Sequence, residues 1–186
     1  SYRSDPYALS EFALSRKVPE YVGRAKAVRT LEKARQDGKV SGELEAVYLA
    51  VKHALALPET VEEMAKDTSF GSVVYANKPG DGSAREQAAS CQRVLGGAAN
   101  IALEYATKRY RSNVMNWGML PFLTSYEDSR KLEVGDLVYV PNVRKILLGD
   151  TDEYKGFLVR DGKKVGEITL HLGAVEPSQK EILAAG

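Results

Sequence analysis

Apolar residues recur at helical spacing through the first third of the chain. From Pro19, the positions Tyr21, Val22, Ala25, Val28 and Leu31 fall on one face, and Asp37-Gly38 marks the stop. Leu44, Val47, Tyr48, Val51 and Leu55 predict a second helix ending at Pro58, with a further turn or two from Thr60 to Met64. Tyr7 to Leu14 reads as a shorter amphipathic helix ahead of them. After Phe70 the period changes. Ser72-Val73-Val74-Tyr75-Ala76 is a β-branched run stopped by the turn-rich Asn77 to Gly82. A helix is predicted from Ser83 to Gly96-Gly97, a buried strand (with a helix as the alternative) over Asn100 to Ala106 and a helix from Arg109 to Trp117 closed by Gly118. Strand, loop, helix and strand in that order predict parallel strands covered by helices. The last third is β-rich. Asp136 to Val140 is a strand, and Tyr154 to Arg160 with Lys164 to Leu170 flank Asp161-Gly162 as a hairpin. Glu181 to Gly186 reads as a terminal helix. The expected fold is α/β, one domain over 1–186. A helical N-terminal portion occupies 1–70, and an α/β core with a C-terminal β-hairpin lobe occupies 71–186.

With 44% apolar residues the chain can build a core. Its net charge of +1 gives no electrostatic case for nucleic acid or for an anionic membrane surface. No apolar run approaches the roughly 20 residues that span a bilayer. A single cysteine, Cys91, precludes a disulfide within the chain and suits the cytoplasm. Absence of a starting Met and the ending at Ala185-Gly186 read as a piece of a longer chain.

Candidate chemistry concentrates in Gly80-Asp81-Gly82-Ser83-Ala84-Arg85-Glu86. Between a strand and a helix, such a loop offers backbone N–H groups and a helix N-terminus to an anion. The glycines permit close approach, and Arg85 adds a fork suited to a carboxylate. The residues alone point to a carboxylate or phosphate site. They equally spell a capping box, Ser83 to Glu86, whose side chains satisfy the helix's own N–H groups.

Gly82-Ser83-Ala84-Arg85-Glu86-Gln87-Ala88-Ala89 resembles the Gly-Ser-Ser-Arg-Glu-His-Ala motif of the aconitase superfamily. Arg93-Val94-Leu95-Gly96-Gly97 follows, as in that family, and Asn113 to Phe122 resembles its Asn-Leu-x-x-x-Gly-Leu-Leu-Pro stretch. The resemblance implies a swivelling β/β/α domain that closes over a [4Fe–4S] cluster, the Lewis acid on the leaving hydroxyl. The cluster would be held by other domains of the same polypeptide or by a large subunit, with no cofactor in this chain. It further implies Ser83 as the base and Arg85 as a clamp on the substrate carboxylate, with Gly82 and Ala84 beside them. Tyr2-Arg3-Ser4-Asp5-Pro6 resembles a second family segment, which makes Arg3 a further carboxylate contact. Where the family has a second Ser, a carboxylate hydrogen-bonder, this chain has Ala84.

The implied activity is reversible dehydration of a hydroxy di- or tricarboxylic acid, with the isolated chain inactive. Two alternatives stay open: a stand-alone carboxylate-binding or regulatory module, and a separate small subunit like that of isopropylmalate isomerase. Cys91 reads as a small buried hydrophobe, and His53 and His171 as ordinary histidines on separate elements. Trp117 reads as packing, and the basic cluster Lys108, Arg109 and Arg111 as a helix face.

Overall fold

The structure is a computed structural model, and it describes residues 19–40, 42–76, 97–105, 108–133 and 135–185. Helix α1 spans Pro19–Gln36, α2 Glu43–Leu55 and α3 Val61–Asp67, followed by strand β1, Ser72–Ala76. Strand β2 spans Gly97–Ala102, helix α4 Lys108–Asn116, strand β3 Leu120–Leu123 and helix α5 Tyr126–Ser129. Then come β4 (Leu137–Tyr139), α6 (Val143–Leu147), β5 (Tyr154–Arg160), β6 (Lys163–Leu170) and α7 (Pro177–Ala185). The mixed α/β composition matches the expected class. The chain divides into two compact units: 1–30 with 70–123 and 172–186, and 31–69 with 124–171.

In the first unit β1, β2 and β3 form a parallel sheet in that order. The parallel β1–β2 pair agrees with the sequence expectation. Strand β2 begins three residues before Asn100, because Gly97 pairs with Ser72 rather than closing a helix. Strand β3 is new, and it contains Pro121. A proline gives the ladder no N–H, which an edge strand tolerates, and β3 lies at an edge among the described strands. Tyr110, Val114 and Met119 pack into a small core against Tyr105. Helix α7 begins with Pro177, whose fixed φ suits a first helical position, and it packs on α4.

In the second unit β4, β5 and β6 form an antiparallel sheet. Asp161 and Gly162, both at positive φ (53° and 74°), make the predicted hairpin turn. Leu44, Tyr48 and Val51 bury the predicted face of α2 against Val61, Met64 and Ala65 of α3. Thr60 caps α3 reciprocally with Glu63. Short helices α5 and α6 were not expected from the sequence. Helix α5 is capped by Ser125, whose hydroxyl accepts from the Asp128 N–H at 3.1 Å. Runs of four and five residues are too short for apolar periodicity to register.

Candidate functional site

Because β1, β2 and β3 run in one direction, their carboxyl ends lie side by side: Ala76 pairs with Ala102, and Ala102 with Leu123. In open parallel α/β sheets ligands collect outside this edge, where connecting loops and helix N-termini converge. The chain leaves β1 at Ala76 on this edge, and the next twenty residues carry the motif found in the sequence. Gly82, Ser83, Ala84 and Arg85 lie outside the described residues, and so do Arg3, the predicted helix over Tyr7 to Leu14 and Cys91.

Past β2 the chain continues through Leu103-Glu104-Tyr105. The Tyr105 hydroxyl donates to the carbonyl of Phe122 at 3.0 Å, tying the end of β2 to β3. Burial pushes that hydroxyl far above the ordinary tyrosine range, so it stays a neutral donor. Its ring lies 6.3 Å from that of Tyr110. The Tyr110 hydroxyl in turn meets the Asn100 side-chain amide at 3.5 Å, at a site where Asn100 is only 2% exposed. A buried amide needs such partners, and β2 can therefore carry a polar residue in its middle.

Helix α4 brings two cations to the same edge. Arg111 is half-buried, and its Nη2 donates to the carbonyls of Leu172 and, at 2.7 Å, Ala174. Lys108 begins the helix and is exposed. Leu103, Glu104, Tyr105, Lys108, Arg111 and Leu123 line an open cleft of about 240 Å³. The basic cluster does lie on a helix, as its sequence predicts. The missed signal is the i, i+4 pair Tyr110 and Val114, which turns one face of α4 inward.

Among the described residues no three His, Cys, Asp or Glu side chains gather as metal ligands. The chain's one cysteine does not fit the ligand set of an iron–sulfur cluster, which takes several thiolates. His53 is exposed on α2, and His171 places Nδ1 2.7 Å from the carbonyl of Asp152. No described helix is long and apolar enough to cross a membrane.

A family model described as aconitase C-terminal domain matches residues 25–127, more than half of the chain. The match encloses β1 to β3 and all three sequence blocks. No curated protein matches the chain.

Proposed function

The chain belongs to the family of aconitase C-terminal domains, and on that footing we propose that it holds substrate and supplies the base in an iron–sulfur hydro-lyase. The substrate class is a hydroxy di- or tricarboxylic acid, dehydrated and rehydrated reversibly. One observation carries this reading: within the family match, β1 of the parallel sheet ends at Ala76 on its carboxyl edge, and the Gly82 to Arg85 motif comes next in the sequence. That is where a phosphate or carboxylate meets the fewest steric obstacles and the most backbone donors.

In this reading Ser83 accepts the substrate proton. A serine is a poor base unless positive groups stabilise its alkoxide, and the Arg85 guanidinium together with nearby backbone N–H groups supplies them. Arg85 also clamps a carboxylate bidentately, and Arg3 contributes a second cation. Gly82 leaves room for the ligand to approach the backbone. Ala84 offers no hydrogen bond, so the backbone and the arginines carry the whole recognition of that carboxylate. The cluster and the rest of the active site come from further domains of the polypeptide or from a large subunit, and the chain alone is inactive. A lone cysteine supports a reducing compartment, and we place the domain in the cytoplasm.

The test is Ser83→Ala in the complete enzyme. Loss of a proton acceptor lowers kcat about 10²–10⁴-fold with little change in KM. A loss within about tenfold would make Ser83 a helix cap and overturn its assignment as base. Turnover by the purified chain alone would overturn the dependence on a partner. Ala84 favours one rival, a module that binds carboxylates without chemistry. That rival predicts an unchanged rate for Ser83→Ala and a measurable affinity for tricarboxylates.

A further inference from the structure

We propose that the cleft between Leu103, Tyr105, Lys108, Arg111 and Leu123 is a subsite for one carboxylate arm of the ligand, with Lys108 as the contacting cation. Among the described residues, Lys108 Nζ has no hydrogen-bond or ion-pair partner, and every bond of Arg111 runs from Nη2. Its Nε and Nη1 remain for a ligand. The two carbonyls that hold Nη2 fix the guanidinium in the cleft wall, so its charge does not swing away as a surface arginine's does. Glu104 sets one negative charge against these two positive ones, and the cleft keeps an excess of one positive charge.

Shape argues for the arm of a larger molecule. About 240 Å³ is less than the roughly 300 Å³ at which whole-ligand pockets begin. Leu103, Leu123 and the Tyr105 ring give the lining apolar surface for a short hydrocarbon chain, and Lys108 and Arg111 give it cations for a terminal carboxylate. The position is the same carboxyl edge at which β1 ends, at Ala76, six residues ahead of Gly82 in the sequence. This assignment rests on the reading of the chain as a hydroxy-acid-handling domain, and it adds a residue that the motif does not contain.

The experiment is an NMR titration of the ¹⁵N-labelled chain with propane-1,2,3-tricarboxylate and, separately, inorganic phosphate. We expect the tricarboxylate to shift the amides of residues 103–105 and 108–111 together with those of 80–86, on one binding curve. Lys108→Gln should weaken that curve about fivefold, the upper range for an exposed ion pair. Movement of 80–86 without the cleft amides would overturn the subsite and leave the proposed function standing. Movement of the cleft amides alone would overturn the motif's role and keep the subsite. Phosphate binding as tightly as the tricarboxylate at the cleft would overturn the carboxylate-arm assignment, and no shift anywhere would overturn both.

Discussion

Arg160 grips Asp136 through both carboxylate oxygens, Nε to Oδ1 at 2.7 Å and Nη2 to Oδ2 at 2.8 Å. The pair joins the start of β4 to the end of β5, and the Asp136 side chain is only 3% exposed. The Glu133 backbone N–H adds a third hydrogen bond to Oδ2 at 3.0 Å.

This pair makes stability depend on pH in one direction. The Arg160 guanidinium holds the Asp136 carboxyl below its ordinary range, although burial opposes the shift. A carboxyl whose folded pKa is depressed stabilises the fold above its unfolded value, about 3.9, and loses that contribution as pH falls through the folded value. Asp128 acts in the same window, because the Thr169 backbone N–H and then Lys131 hold its carboxyl down. We expect Asp136→Asn to melt below the parent at pH 7. The gap should narrow as the pH falls below the unfolded value and close once it has fallen through the depressed folded value, where both proteins carry a neutral side chain. Thermal melts of both proteins across pH 2–7 check this, and a gap independent of pH would contradict it.

Tyr48 predicts an alkaline counterpart. It is 2% exposed, its hydroxyl donates to the Thr68 carbonyl at 2.6 Å, and burial pushes it up to about 12. A raised folded pKa gives stability that is complete below the unfolded value near 10 and is lost as pH rises toward 12. Tyr48→Phe removes one hydrogen bond, at a cost of about 1 kcal/mol at neutral pH. Absorbance titration of the phenolates should show one fewer group ionising near pH 12 in the variant. Tyr154, also raised to about 12, remains in both proteins.

The sequence displayed what repeats and concealed what does not. The face Leu44, Tyr48 and Val51 was legible because burial follows a 3.6-residue period, and the β5–β6 hairpin because Asp161-Gly162 suits a turn of positive φ. Strand β3 was hidden by Pro121, since its edge position is a tertiary fact. Strand β2 was misplaced because Gly97, Ala98 and Ala99 carry little pattern of their own, and their pairing with β1 fixes them. The Gly82 to Arg85 motif is read from local chemistry alone and lies outside the described residues. The cleft was not legible, because Leu103, Lys108 and Leu123 meet only once β2, α4 and β3 are assembled.

Gly156 is a packing prediction. It is buried in β5 opposite Ile168, and a Cβ there would lie 2.9 Å from Ile168 Cγ1 and 3.3 Å from Val138 Cγ1. No real Cβ sits at the first distance, so Gly156→Ala forces β6 or the Ile168 side chain to shift. Overpacking of this kind costs about 1–3 kcal/mol. Pairing it with Ile168→Ala should recover part of the loss, a non-additive outcome expected of side chains in contact. Denaturant melts of the two single variants and the double variant measure it, and strict additivity would show that the clash is relieved elsewhere.

Arg111 helps the first unit keep its C-terminal helix. Its Nη2 binds the carbonyls of Leu172 and Ala174 on either side of Gly173, which sits at φ 77°. These bonds fasten the chain just before α7, which packs on α4. Charged hydrogen bonds of this type are worth about 1.5–3 kcal/mol in total, less whatever solvent screens at the exposed Ala174 end. Arg111→Met keeps the aliphatic contact and removes the donors. Amide hydrogen exchange should then quicken selectively over residues 172–185, while the amides of β5 and β6 keep their protection. Uniform loss of protection would mean that Arg111 supports global stability, whereas unchanged exchange at 172–185 would mean that packing on α4 alone holds the helix.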